Sequence, residues 1–324
     1  MNLHQNKELF KEVINAVSEY SGLKGSIIEK DYYVSLLLER IKMNYPQIVF
    51  KGGTSLSKCY HLINRFSEDI DLNFQQDVEK TRAEKRRLKQ AIIGSANEIG
   101  MCLKNEAELK SRRDFNRYQI VYPSVTESDL QKVIYVETYV LLESFPTNEM
   151  QVTNYILDYL TEKHQGVFIE KYEMNVFRIQ VQSIERTFID KLFALCDYAI
   201  DGKYMRNSRH LYDLHMIYTA YKDRLTSDKI KPLFKQVAKE RIKSNHAYSA
   251  MKGFKLLEAC RTITNEDHFK ADYEGTSNVQ LFLPGESTIS YWTVKNTFNE
   301  VILSGIIPVV IDFLRPHTRD FSHE

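Results

Sequence analysis

Residues 49–74 read VFKGGTSLSKCYHLINRFSEDIDLNF, and their pattern decides the fold. Ile48 to Phe50 are apolar or β-branched and read as a strand, which Gly52-Gly53 interrupts. Thr54 and Ser55 can cap a short helix carrying Leu56, Tyr60 and Ile63. A second strand opens at Asp69. Side chains two apart on a strand share a face, so Ile70, Leu72 and Phe74 bury one side while Asp69, Asp71 and Asn73 line the other. Two carboxylates on one strand face repel each other unless a cation lies between them. Such hard oxygen donors suit Mg²⁺, and Gly52-Gly53-Thr54 can offer backbone N–H groups and a hydroxyl to phosphates. Taken singly, Gly-Gly is a turn and Asp-x-Asp an exposed strand. Together, one shortly before the other, they point to nucleotide chemistry.

GGTSLSK followed by RFSEDIDL resembles the signature of the AbiEii/AbiGii-type nucleotidyltransferase toxins, a family within the DNA polymerase β-like nucleotidyltransferase superfamily. EKDYYV at residues 29–34 resembles the family's N-terminal helix, although a charged helix start ahead of a core face explains it equally well. Further on, ERTFIDKLFAL and RHLYDLH look like the remaining family motifs, matching at Arg186, Thr187, Lys191, Arg209, His210, Tyr212 and Asp213. Asp190 is a mild departure, since the family commonly has Glu before that lysine. GGTSLSK lacks the GxxxxGK[ST] frame, so Lys58 is not a P-loop lysine.

Composition sets the frame for these motifs. The chain has 324 residues, 43% of them hydrophobic, which suits one or two domains with a sizeable core. A net charge of +1 gives no bulk signature of a nucleic-acid binder, so local patches must make that case. Residues 79–89 carry six cations against two acids, and Lys110, Arg112, Arg113 and Arg117 form a second basic cluster. Either is an ordinary solvated face, or both steer a polyanion toward the site. The four cysteines form no CxxC; Cys59, Cys102 and Cys196 sit in apolar helical settings and are expected to be buried thiols. The polar N-terminus lacks the apolar stretch of a signal peptide, and the run 301–314 is too short and interrupted to span a bilayer. A cytoplasmic protein is the expectation.

Helical spacing marks residues 4–20 and 27–43, and a long polar helix covers about 78–103. Residues 117–122 and 132–141 alternate as strands about a turn at 123–129. In the second, Val133, Tyr135, Glu137 and Tyr139 share a face, with Glu137 the only acid in the strand. Polymerase β-like enzymes place a third metal or base carboxylate on a strand after the DxD strand, so the resemblance implies that role for Glu137; a salt-bridged sheet edge is the other reading. Residues 150–174 are poorly periodic and are expected to hold the linker to a helical half. Residues 176–181 read as a strand, 265–290 as loop, and 292–314 as a last apolar helix broken at Gly305 and Pro308.

The expected fold is an α/β (α+β) nucleotidyltransferase core with a mixed sheet over residues 1–165, and a mainly helical domain over 166–324 that completes the active site. The resemblance implies transfer of an NMP from an NTP, with Mg²⁺ held by Asp69, Asp71 and Glu137. Gly52, Gly53, Thr54 and Ser55 would cradle phosphates, with Arg65 and Ser67 bracing the turn. Lys191 is a point charge for the phosphates, and Asp213 either pairs with Arg209, orients Lys191 or acts as a base. It further implies a toxin of a type IV-like toxin–antitoxin or phage-defence system, acting on the tRNA 3′ end or other RNA, with a helix-turn-helix antitoxin as partner. A protein hydroxyl as acceptor, γ-phosphate transfer, and a binding module without turnover stay open.

Overall fold

The computed structural model describes residues 1–65, 67, 69–127, 130–244, 246–275 and 288–312. The chain divides into two compact units, the first holding residues 1–187 and the second beginning at Phe188.

The first unit opens with helices α1 (Lys7–Ser21) and α2 (Gly25–Asn44). Gly22, at φ 72°, ends α1 in the left-handed conformation that glycine adopts without penalty. Strand β1 (Ile48–Lys51) runs straight into α3 (Gly52–Lys58), and β2 (Ile70–Phe74) follows. Then come α4 (Arg82–Glu98), β3 (Cys102–Leu103), β4 (Phe115–Val121), β5 (Val133–Tyr139) and β6 (Thr147–Val152). Helices α5 (Tyr155–Glu162) and α6 (Gly166–Lys171) lead to β7 (Phe177–Gln182). The strands form one mixed sheet in the order β3-β4-β5-β2-β1-β7-β6, with β1 parallel to β7, β2 parallel to β5, and the other neighbours antiparallel.

The two faces of this sheet differ in chemistry. Phe50, Leu72, Ile70, Val136, Tyr118 and Val181 point into one core with Phe10, Tyr33 and Leu37 from α1 and α2 and Ile92 from α4. The alternate residues, among them Lys51, Asp71, Glu137 and Tyr135, remain half-buried on the opposite face. The mixed sheet with its helices is the expected fold class.

Several boundaries differ from the sequence expectation. The polar helix spans 82–98 rather than 78–103, because Thr81 caps it by accepting from Glu84 N and Gly100, at φ 72°, turns the chain back. Cys102 then lies exposed on β3, not in a helix, whereas Cys59 is buried and its thiol is pushed up to about 12 by desolvation. Residues 150–174 are largely structured: they complete β6 and form α5 and α6, whose Ile156, Leu157 and Leu160 are buried in the first core.

The second unit is helical. Helix α7 (Ile184–Ile200) contains the division point, and α8 (Arg209–Leu225), α9 (Ile230–Arg241), α10 (Leu256–Asn265), α11 (Lys270–Glu274) and α12 (Tyr291–Leu303) follow. The stretch expected as loop thus holds α11, and its residues 276–287 lie outside the described residues. The last helix stops at Leu303, two residues before Gly305 at φ 75°. Residues 313–314 of that expected helix also lie outside the described residues. No helix among the described residues is long and apolar enough to cross a membrane.

Candidate active site

Strand register builds the site. Lys51 of β1 pairs with Asp71 of β2, Asp71 pairs with Glu137 of β5, and Glu137 pairs with Arg117 of β4. Directly paired residues project to the same side, and neighbouring strands lie about 4.8 Å apart. Four charged residues therefore cross the polar face in one row: cation, anion, anion, cation. Glu137 Oε1 meets Arg117 Nε at 3.1 Å, and the Arg117 guanidinium stacks over the Tyr135 ring at 3.9 Å. Glu137 is thus salt-bridged, as one sequence reading held, but on an interior strand next to Asp71 rather than at a sheet edge.

The Gly-Gly turn is pressed against this row. Gly52 sits at φ 79°, and a Cβ built on it would fall 1.9 Å from Asp71 Oδ2. A Cβ on Gly53 would fall 2.8 Å from both Arg65 Nη2 and Ser67 Oγ. Glycine is required twice, first for the backbone conformation and the approach of Asp71, then for the approach of Arg65 and Ser67. Thr54 Oγ1 and Ser67 Oγ are 2.9 Å apart, and Ser55 Oγ donates to Gly52 O at 2.8 Å. The Thr54 hydroxyl thus ties the turn to the segment before β2, and the Ser55 hydroxyl closes the turn on itself, instead of either capping the helix from outside. Asp69 lies one residue before β2, half-buried, two positions from Asp71. Asn73 departs from the expected polar row: it is fully buried and donates through Nδ2 to Leu142 O and Ser144 Oγ, pinning the chain after β5.

The fit of a divalent cation can be judged from these donors. Asp71 and Glu137 are adjacent hard-oxygen ligands on one face. Among the described residues no three His, Cys, Asp or Glu side chains stand close enough to cage an ion. Mg²⁺ is ordinarily bound by one or two carboxylates together with substrate phosphates rather than by an all-protein cage. The residues present fit that mode.

The charged residues of EKDYYV hold structure. Glu29, fully buried, accepts from Val125 N at 2.6 Å and from the hydroxyls of Ser124 and Thr126. Lys30 Nζ donates to Gln131 O at 3.0 Å. Asp31 binds Lys58 Nζ at 2.5 Å and accepts from Tyr155 N at 3.0 Å, while Lys58 also reaches Ser35 Oγ at 2.7 Å. Lys58 therefore locks α3 to α2 and is not turned to a phosphate. The downstream motif divides similarly. Arg186 is fully buried and donates to Phe145 O at 3.3 Å within the first unit.

In the second unit, Lys191 of α7 and Asp213 of α8 form a buried ion pair at 2.6 Å, with Asp213 wholly shielded from solvent. Asp213 thus meets Lys191, one of the partners expected for it. His215 Nδ1 bonds Thr297 Oγ1 at 2.8 Å and His210 stacks on Tyr198, so each has a place within the helical packing. The row partners Lys51 and Arg117 were not readable as site residues. Arg117 stood out only as part of a basic cluster, and pairing register carries no local signal in sequence.

Comparison with known proteins bears directly on this arrangement. The profile of the family described as "Nucleotidyl transferase AbiEii toxin, Type IV TA system" matches residues 37–286, more than half of the chain. The chain belongs to the AbiEii family. It is accordingly a nucleotidyltransferase toxin of a type IV toxin–antitoxin system. The match includes the Gly-Gly turn, the DxD strand, Glu137 and the Lys191–Asp213 pair; it runs well past RHLYDLH but begins after EKDYYV. Among solved structures, this AbiEii-family chain is similar in fold to MenT4, a nucleotidyltransferase toxin from Mycobacterium tuberculosis H37Rv. The TM-score is 0.52 at 14% identity, covering 90% of this chain and 88% of that one. No curated protein matches it in sequence.

Proposed function

We propose that this AbiEii-family chain transfers an NMP from an NTP to the 3′ end of tRNA in a Mg²⁺-dependent reaction in the cytoplasm. Its toxicity would be countered by a helix-turn-helix antitoxin in a phage-defence setting. The observation that carries the reading is the in-register placement of Asp71 beside Glu137, under a turn whose Gly52 leaves no room for a side chain.

The acceptor hydroxyl attacks the α-phosphorus, the bond to the β-phosphate oxygen breaks, and pyrophosphate leaves. Asp71 and Glu137 would hold Mg²⁺ together with the substrate phosphates, with Asp69 just before the strand adding negative charge nearby; when bound, the ion would supply charge to offset the triphosphate and to lower the pKa of the attacking hydroxyl. Gly52 and Gly53 would offer backbone N–H groups, and Thr54 its hydroxyl, to the β- and γ-phosphates, while Ser55, whose hydroxyl proton is committed to Gly52 O, would hold the turn in shape. The Thr54 and Ser67 hydroxyls share one hydrogen bond, which leaves one proton for a phosphate oxygen. Arg65 braces the turn against Gly53. Glu137 would accept the hydroxyl proton once Arg117 yields it. On the strength of the family motif Lys191 would contribute a fixed positive charge to the reaction, with Asp213 holding its ammonium in place.

The test is to incubate the protein with Mg²⁺, total tRNA and each α-³²P-labelled NTP, with Asp71→Ala in parallel. Label on tRNA in the wild type alone is expected. Equal labelling by a folded Asp71→Ala protein would end the two-carboxylate mechanism. Label on a protein band would move the acceptor to a Ser, Thr or Tyr hydroxyl. Label transferred only from γ-³²P-NTP would make the reaction phosphoryl transfer. NTP binding without any transfer would leave a binding module.

A further inference from the structure

The basic residues 82–112 are not scattered over a solvated surface. Helix α4 buries Leu88, Ile92 and Ala96 and presents Arg82 and Arg86, one turn apart, on its outer side. Facing them across an open groove are Lys110 and Arg112, from the loop between β3 and β4. None of these four forms an ion pair among the described residues, whereas nearby Lys85 and Arg87 do, with Asp114 and Glu84. Glu106 is the single acid along the groove. In a chain with 44 Lys and Arg against 43 Asp and Glu, this is segregation of charge and not composition.

Geometry links the groove to the carboxylates. The groove follows α4 from Arg82 to Asn97, about 22 Å at 1.5 Å per residue, far longer than one nucleotide. Strand β3 is the edge of the sheet, and the loop after it leads into β4, the neighbour of the strand that carries Glu137. That loop folds back on β4: Asn116 Oδ1 accepts from Lys110 N at 2.9 Å, and its Nδ2 donates to Lys110 O at 3.2 Å. The next residue is Arg117, whose guanidinium holds Glu137.

We propose that the groove between α4 and the 104–112 loop binds the phosphate backbone of the acceptor RNA and directs its end round the β3 edge to the Asp71–Glu137 row. The assignment rests on the RNA acceptor of the proposed function and names the surface that holds it. An extended polyanion fits a line of unpaired cations, since each neutralised phosphate releases a condensed counterion.

The experiment uses the full chain, fluorescein-labelled total tRNA, and a quadruple variant carrying Arg82→Ala, Arg86→Ala, Lys110→Ala and Arg112→Ala. These side chains are exposed, and circular dichroism melting checks that the fold is retained. Anisotropy is read from 50 to 200 mM KCl. The variant should bind tRNA more weakly, with a log–log salt slope reduced by about 3, at 0.7–0.9 per lost phosphate contact. Binding of a fluorescent NTP should be unchanged, and KM for tRNA should rise at constant kcat. Unchanged tRNA affinity and slope would overturn the groove. So would displacement of tRNA by polyglutamate at equal residue concentration, which would make it a face for an acidic protein. If wild type bound tRNA through the groove but transferred no nucleotide, the proposed reaction would fail while the groove stood.

Discussion

Replacing Gly52 by alanine puts a methyl group where Asp71 Oδ2 already stands. The new Cβ would lie 1.9 Å from that oxygen, about 1.5 Å inside ordinary contact distance. The same residue sits at φ 79°, a conformation that costs a non-glycine residue about 1–2 kcal/mol. Forcing the Asp71 side chain off its rotamer adds about 1 kcal/mol. The expected loss is about 2–3 kcal/mol, a fall in melting temperature of roughly 5–10 °C for a unit of this size. Activity should fall much further, because the displaced group is the carboxylate proposed to act. The assay is a double-mutant cycle on thermal unfolding with Gly52→Ala, Asp71→Ala and both together. If steric conflict with Asp71 drives the effect, the double variant recovers about 1 kcal/mol relative to the sum of the singles. Strict additivity would refute the close-approach argument and leave only backbone strain. Gly53→Ala is the comparison: its Cβ would meet the ends of the Arg65 and Ser67 side chains without a positive φ, so it should cost stability less.

Three other outcomes follow from contacts in the first unit. Lys58→Met strands Asp31 in a largely buried site and should cost about 3–5 kcal/mol; adding Asp31→Asn should restore much of it, as read by urea denaturation. Arg117→Ala removes a half-exposed partner of Glu137; stability should change by less than about 1 kcal/mol. Mg²⁺ binding in the presence of a non-hydrolysable NTP should tighten by up to about fivefold, and weaker binding in calorimetry would contradict competition for Glu137. His4 is buried with Nε2 on Ile99 O and Nδ1 on Tyr32 Oη, and burial lowers its pKa. Below the ordinary histidine value the unfolded chain binds the proton more readily than the native one, so stability falls as pH drops below about 6.5 and is flat above it. The slope of melting temperature against pH over 5–6.5 should flatten in His4→Gln.

The chemistry of the site was legible wherever it is encoded by neighbours in sequence. Gly52-Gly53, the alternation of Asp69 and Asp71 with buried apolar residues, and the lone acid of β5 are local patterns; Asp71 and Glu137 lie on their expected strands, while Asp69 falls one residue before β2 and the glycines open α3. What sequence withheld is pairing. Nothing local says that β2 lies between β5 and β1, that Asp71 pairs with Glu137, or that Lys51 and Arg117 close the row. The same gap hid Asn73, whose polar side chain satisfies the carbonyl of a residue far along the chain, and Asp31 with Lys58, whose motifs look functional because they hold each other. The helix limits were available locally: Thr81-x-x-Glu84 is a capping pattern and Gly100 a stop, both outweighed in a reading by periodicity alone. The short edge strand β6, TNEMQV, has too few apolar residues to announce itself.

The sheet order has a consequence for how the toxin comes into being during synthesis. Strand β1, which delivers the Gly-Gly turn, is bordered on one side by β2 and on the other by β7, more than a hundred residues downstream. Until Phe177–Gln182 has left the ribosome, the nascent chain carries β1 with one row of amide and carbonyl groups unmatched. Such an edge invites pairing with other chains. A product that ends before Phe177 would lack the partner strand that completes the pairing of β1, and it is expected to associate through that edge rather than to act as a partially active toxin.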